Sequence, residues 1–483
     1  VQKRLDEEQE RCLDFLIEET KKPLLNKVLS PMIENHAKVL IMKPDSGLAT
    51  MIRLKQYSVI NLMYKIFTQV SSARKLFVNF LVETVNEDCK SIWSDGEISN
   101  SPKEFIDRCI ETKQKYNAII TQSCDRDSDI SLAIRKAFEN ALADFNQSAL
   151  FLSKYIDLKM KKEIKTLKDD EISSLFDKII EIFKLLVDKD EFEGFYRHNL
   201  TKRLLNSLSS NDEAEKQMIS KLKVECGCIY TQKLETMMKD IALSDGLNQQ
   251  FKQTRCYSNI DFNFNIKVLT SGNWAGDNTK TYCNIPKQLS YAIEGFTDFY
   301  MNNHSGRILT WKMNFGSADV IGRFPDKNYE FTVSGYQMVV LLLFNDTDKL
   351  SVSQIKSLAG ITPEYELKRH ILSLIKVKIL LKNTKEFDLT DSDLLKVNDK
   401  FKNRLHKIKV PLLNQKDQLE VEKKEVIPKV EDDRRHLIEA TIVRVMKARK
   451  KMNHNDLISE VMKILSAIFQ PTSLKIKKKV EGL

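Results

Sequence analysis

Four basic side chains near the C-terminus, Arg444, Lys447, Lys450 and Lys451, carry the clearest hint of chemistry in this 483-residue chain. If Arg434 to Val461 forms a helix, they share one side, while Ile438, Ile442, Val445 and Met446 share another at spacings of three and four. Lys447 therefore has positive charge one turn before it and one turn after. Like charge at that distance disfavours the protonated amine and lowers its pKa, and a deprotonated lysine attacks an activated acyl group. The plainer reading is that these residues solvate the outer face of a packed helix, as most charge runs do.

The elements that would position such a lysine follow from composition and period. A chain this long exceeds one hydrophobic core and divides into several domains. Hydrophobic residues at 42% and charged residues at 30%, with few Gly and Pro, predict a helix-rich protein with long elements. The longest apolar run, Met338 to Phe344, is too short to span a bilayer, and no signal peptide is recognisable, so an intracellular protein is expected. The chain begins at Val1 and reads as a piece of something longer. Eight scattered cysteines lack zinc-ligand spacing and read as reduced thiols. Residues 401–483 hold 20 Lys and Arg against 11 Asp and Glu, a local net charge of +9 within the total of +10.

In order, residues 1–146 show helical period with short polar connectors, predicting stacked helical hairpins, with Ser101-Pro102 starting one helix. Helices continue over 147–263, where Arg197, Lys202, Arg203, Lys221 and Lys223 could form a basic groove for an acidic partner or simply a solvated face. From Phe264 the period changes. FNIKVLTS, RILTWKMNF, DVIGRF and NYEFTVS read as short strands, with one helix between them, so 264–334 forms a small α/β domain with an edge open to a partner strand. Residues 335–410 give three helices and a two-stranded wing, ILLKN with LLKVNDKFKNRLHKIKV, which is a winged-helix order. Ser351 or Ser353 caps its second helix, and Gly360 ends it. A charged linker spans 411–433, and 434–483 opens a second winged helix, in which Asn453 or Asn455 caps DLISEVMKIL.

The segment EDDRRHLIEATIVRVMKARKK resembles the neddylation segment of cullins, the scaffold subunits of RING-type ubiquitin ligases, through its I-V-R-hydrophobic-M-K core after DDRR. The KRLL, ISKLK and CG-then-TxKLE order earlier in the chain is similar to the cullin four-helix segment. CNIPK, HSGRILTW, FGSADV and YQMVVLLLFN lie closest to the cullin-3 branch. The resemblance implies a mainly α architecture: helical cullin repeats and a four-helix bundle, then a small α/β sheet domain and winged-helix domains. It also implies that Lys447 accepts a ubiquitin-like modifier through an isopeptide bond, supported by Arg444, Met446, Arg449 and Lys450. A RING-box protein would add its strand near Ile308, Leu309 and Trp311. Lys202, Arg203, Lys221 and Lys223 would face a ubiquitin-conjugating enzyme. A cullin exchange factor and a deneddylase are further partners, and a BTB-type adaptor would use repeats preceding Val1. No cofactor is expected in this chain, zinc belonging to the RING partner. The family continues past the position of Leu483 into a strand pair, so the second winged helix is expected to be truncated.

No phosphate loop, nucleophile elbow or HExxH helix occurs, and the seven histidines are dispersed, so catalysis would come from a partner. The rival reading is a winged-helix nucleic-acid-binding protein, favoured by the basic C-terminal region and KIKKK at 475–479. Against it, the third helix of the first winged helix starts with Glu364 and Glu366, which would repel phosphate. A helical scaffold without ligase function is the third reading.

Overall fold

A computed structural model describes residues 33–96, 98–209, 211–276, 282–325, 327–383, 389–412 and 418–482, with residues 7, 10, 11, 27 and 31. The fold is mainly helical. It divides into two compact units, Val1–Tyr196 with Val224–Cys226 and Val430–Leu483, and Arg197–Lys223 with Gly227–Lys429.

In the first unit, α1 (Leu48–Arg53), α2 (Tyr57–Phe67), α3 (Ser71–Ser94), α4 (Pro102–Ser123), α5 (Ser128–Asp144), α6 (Ser148–Leu158) and α7 (Asp169–Phe183) follow one another through short connectors. Each buries an apolar stripe at spacings of three and four, as Ala73, Phe77, Leu81, Val85, Cys89 and Ile92 do on α3. Tyrosine–aspartate pairs tie the stack together. Tyr116 Oη donates to Asp88 at 2.8 Å, Tyr155 Oη to Asp107 at 2.6 Å and Tyr64 Oη to Asp127 at 2.8 Å. Pro102 sits in the first helical position after Ser101, where its missing N–H costs no hydrogen bond.

In chain order there follow α8 (Lys189–Leu205), α9 (Asp212–Cys226), α10 (Cys228–Lys252), α11 (Arg255–Ser258) and α12 (Lys287–Asn303). The α9 start is capped by Asn211, whose side chain accepts from the Glu213 and Ala214 amides.

Of the four expected strands, β1 (Ser317–Arg323) and β2 (Asn328–Ser334) pair antiparallel in full register. FNIKVLTS and RILTWK are extended but join no ladder among the described residues. A strand needs a neighbour's backbone, and the described residues supply none there.

The first winged helix forms as α13 (Gly335–Leu342), α14 (Val352–Ala359) and α15 (Glu364–Lys376), with β3 (Lys349–Ser351), β4 (Leu380–Lys382) and β5 (Leu394–Val397) in the order β3-β5-β4. Ser351 caps α14 in a capping box with Gln354, and Gly360 ends it at φ 59°. The wing is shorter than predicted. Its expected last part, β6 (Lys407–Lys409), instead runs parallel to β2, with Ile408 opposite Phe331. Phe401 explains the detour: its ring packs within 5.1–5.5 Å of Tyr329, Phe324 and Phe331, which turns the chain back to the free side of β2.

The expected linker over 411–433 is helical from Gln418, because α16 runs Gln418–Arg449 with Pro428 inside it. Its Glu- and Lys-rich letters are strong helix formers, and Val426 and Val430, one turn apart, are both buried. The last helices are α17 (His454–Leu465) and α18 (Ser473–Gly482), and no strand follows them among the described residues. Asn453 is the α17 cap residue by position, although its side chain makes no capping bond.

Candidate functional site

The Lys447 segment is built from the inside out. Ile438, Ile442 and Val445 of α16 are buried against Leu457, Ile458, Val461, Leu465, Phe469 and Ile476 from α17, α18 and their connector, with Met446 half-buried at the margin. This apolar face fixes which side of α16 meets solvent. Arg444 and Lys447 stand exposed on the other side, and Lys447 makes no ion pair among the described residues. Its amine is therefore free to approach an acyl donor.

The helix ends two residues later. The Lys450 amide donates to Met446 O at 2.8 Å, and Lys450 takes φ +63°, a left-handed conformation that glycine or asparagine adopts more readily. Lys450 is thus the residue that stops the helix as well as a neighbouring charge. Arg449 reaches Glu460 of α17 at 3.7 Å. Lys475 and Lys479 of α18 pair with Glu431 and Glu439 of α16 at 3.2 and 2.6 Å, stapling the two helices along their length.

This module is seated on the start of α8. Arg434 donates to Asp190 through Nε and, at 2.7 Å, through Nη2, and to Asp188 at 2.9 Å, with Glu191 at 3.6 Å and its guanidinium 5.0 Å over the Phe469 ring. The Lys189 amide donates to Ile468 O at 2.9 Å. Burial works against the Arg434 charge, but Asp190, Asp188 and Glu191 outweigh it and raise its pKa. Burial, reinforced by repulsion from Asp188, pushes Glu191 up to about 7. No local pattern marks this seat, because its partners lie some 245 residues apart in the chain.

A second site lies in the other unit. Asp240, Ser244 and Asn248 stand at intervals of four on α10, so they share one face. They hold every second residue of the extended segment 264–271. Asp240 accepts from the Thr270 amide at 2.8 Å, Ser244 from the Val268 amide at 2.8 Å, and Asn248 from the Ile266 amide at 2.8 Å while donating to Ile266 O at 2.6 Å. Asp240 also accepts from Trp274 Nε1 at 2.8 Å. The alternate residue Lys267 sends its Nζ to the carbonyls of Leu204 and Leu205 at the end of α8, at 2.7 and 2.8 Å.

A helix face thereby does the work of a neighbouring strand along one edge of 264–271. On the opposite edge the backbone groups of Lys267 and Leu269 have no partner among the described residues. The backbone groups of 307–311 likewise have no partner among the described residues. Ile308 is 90% exposed, whereas Leu309 and Trp311 turn inward against the cluster of Phe251, Ile266, Phe296 and Tyr300. Phe264 and Trp311 stack at 6.4 Å, so both segments rest on one core. The three expected RING-partner residues thus divide into one outward and two inward side chains. The α10 residues that prepare the neighbouring segment carry one local signal, an Asp-Ser-Asn series at intervals of four ahead of a β-branched run.

The expected basic surface does not assemble as such. Arg203 is fully buried in a fork with Glu215, Nε to Oε1 at 2.6 Å and Nη2 to Oε2 at 3.0 Å, because α8 turns that face towards α9. Lys202 pairs with Glu422 at 3.1 Å and Lys223 with Glu235 at 3.0 Å, while Lys221 and Arg197 are half-buried. The reading of Arg203 is thus corrected: the residue belongs to the interior and not to an exposed basic surface, while Lys202 and Lys223 keep partly exposed ammonium groups beside their carboxylate partners. In the first winged helix, Glu364 at the start of α15 is held down to about 2 by Lys356 and Lys368, so two of the lysines there face a carboxylate rather than a phosphate.

Three family models match the chain: the cullin alpha solenoid domain over residues 1–248, the cullin alpha+beta domain over 268–401 and the cullin protein neddylation domain over 433–483. Cullin-3 of Dictyostelium discoideum is 35% identical, covering 99% of this chain and 67% of the relative. Cullin-3A of Arabidopsis thaliana is 34% identical over 100% of this chain and 66% of its own length. Cullin-3 of Schizosaccharomyces pombe is 32% identical over 100% of this chain and 64% of its own length. The chain spans about two thirds of the length of these relatives.

Proposed function

The chain belongs to the cullin family, and on that premise we propose that it is a non-catalytic scaffold of a cullin-RING ubiquitin ligase. The observation that carries the reading is the pair of extended segments, 264–270 and 307–311, resting on one core, with the backbone groups of Lys267, Leu269 and 307–311 unpaired among the described residues. Such an edge binds an extended peptide by completing the ladder, the main-chain bonds giving affinity and the exposed Ile308 side chain giving specificity. The strand is that of a RING-box protein, which brings its own zinc and docks a ubiquitin-conjugating enzyme. An adaptor of the BTB type, bound through a part of the relatives that this chain does not match, holds the substrate. Carrying both on one scaffold turns substrate and thioester into neighbours, and proximity supplies the rate.

Lys447 is the acceptor of the ubiquitin-like modifier. Its Nζ attacks the thioester carbonyl of the charged modifier; the C–N bond forms as the C–S bond breaks, the thiol leaves, and the amine gives up a proton to solvent. The exposed, unpaired amine beyond a well-packed apolar face supports this assignment. Attachment shifts the module between seated and released states and so regulates the ligase. An exchange factor and a deneddylase complete the cycle, which runs in cytoplasm and nucleus.

The test is incubation of the chain, bound to a RING-box partner, with the neddylation enzymes, read by intact mass and peptide mapping. One modifier on Lys447, absent in Lys447→Arg, is the expected result. A chain that binds no RING partner, or one modified equally well after Lys447→Arg, overturns the assignment.

A further inference from the structure

The seat of the Lys447-bearing module carries an excess of negative charge. Around Arg434 stand Asp188 from the turn before α8, Asp190 and Glu191 from α8, and Glu431 from α16. The opposing cations are Arg434 itself and Lys475 of α18, which pairs with Glu431 at 3.2 Å. Lys189 of α8, in the same first turn, places its ammonium 3.5 Å from Ala467 O and over the Phe183 ring. Four carboxylates thus share two cations in a half-buried contact. Glu191 is the worst placed: Arg434 lies 3.6 Å away and gives its direct hydrogen bonds to Asp188 and Asp190.

We propose that this cluster is a proton-linked latch: the seated module retains a proton on Glu191, and release of the module returns that proton to solvent. Burial and like charge make ionisation of Glu191 costly in the seated form, holding its pKa at about 7 against an ordinary 4.5. Released, Glu191 is solvated and returns to its ordinary 4.5. The sign follows from linkage. Seating is strongest below the released-state value, weakens as pH rises from about 4.5 to 7, and is level above that. Between pH 6 and pH 8 the seating equilibrium is expected to fall about tenfold. The consequence for modification of Lys447 rests on the function proposed above. The latch itself is tested without modifier or modifying enzymes, so either can fail alone.

The Lys189 amide is the reporter, since it donates to Ile468 O across the contact and lies in the first turn of α8, where no intrahelical acceptor exists. Amide hydrogen exchange of the full chain, corrected for the intrinsic pH dependence, is expected to show about tenfold more protection at Lys189 at pH 6 than at pH 8. Glu191→Gln, which keeps the side-chain shape without the titration, is expected to be protected equally at both. Arg434→Gln is expected to lose that protection at both while the amides of α7 stay protected. Equal protection of the unsubstituted chain at the two pH values, or a pH dependence that survives Glu191→Gln, overturns the latch. Should Arg434→Gln also expose α7, Glu191→Gln decides alone.

Discussion

Asn248 holds Ile266 by both of its backbone groups, accepting from the amide at 2.8 Å and donating to the carbonyl at 2.6 Å. A side-chain amide thus reproduces the paired bonds that one strand makes with the next. With Ser244 and Asp240 it fixes 266, 268 and 270 in extended form before any partner arrives, so the ordering cost of adding a strand is met in advance.

Asn248→Ala is therefore expected to weaken capture of a RING-box partner while leaving the helices intact. Two bonds at about 1 kcal/mol each predict roughly tenfold to thirtyfold weaker binding by calorimetry. Binding unchanged within twofold would mean that the segment is held by its apolar contacts alone.

The fully buried Arg203–Glu215 fork makes a sharper prediction about stability. Removing one partner strands the other without water, so Arg203→Ala is expected to cost about 3–5 kcal/mol in urea unfolding. Replacing both, as Arg203→Met with Glu215→Leu, removes the orphan and is expected to recover most of that loss. A double variant as unstable as the single one would refute this account.

Acid sensitivity has a separate origin in the helical stack. Burial works against the Asp127 carboxylate, but Tyr64, the Asp129 amide and Arg74 more than compensate and hold its pKa below the ordinary 3.8. Asp127 also caps α5, and Arg74 bridges it at 2.8 Å. Its contribution is full above the unfolded value and is lost as pH falls through the folded one. Asp127→Asn is therefore expected to destabilise the chain near neutrality, by about 1–2 kcal/mol, and to reduce that difference below pH 3. Circular dichroism melts at pH 7 and pH 3 measure both.

How much of this was legible in the letters depends on the range of the interaction. Ile438, Ile442 and Val445 form a local period, so the buried face of α16 and the exposure of Lys447 could be read directly. The caps at Ser351 and Gly360 are equally local. Arg203 could not be assigned, since a surface lysine and a buried arginine look alike until Glu215 is brought opposite. The missing ladders at 264–271 and 307–312 mark a different limit. Strand propensity was correctly high there, but hydrogen bonding belongs to pairs of segments, and α10 supplied one side with side chains.

That division predicts opposite behaviour for two residues three apart in the open segment. Trp311 donates from Nε1 to Thr297 at 3.3 Å and packs on Phe264 and Phe296, with ring centroids 6.4 and 6.1 Å away, so it belongs to the free chain's own core. Trp311→Ala is expected to cost about 3 kcal/mol of stability whether or not a partner is present. Ile308 points into solvent at 90% exposure and contributes little to the free chain, so Ile308→Asp is expected to change stability by no more than about 0.5 kcal/mol. A charge there would nevertheless have to be desolvated when a partner strand covers it, and binding is expected to fall by at least about tenfold. Loss of binding by Ile308→Asp with unfolding parameters unchanged would separate the interface from the core. Full binding by that variant would move the partner strand away from 307–311 to the free edge of 264–271 alone.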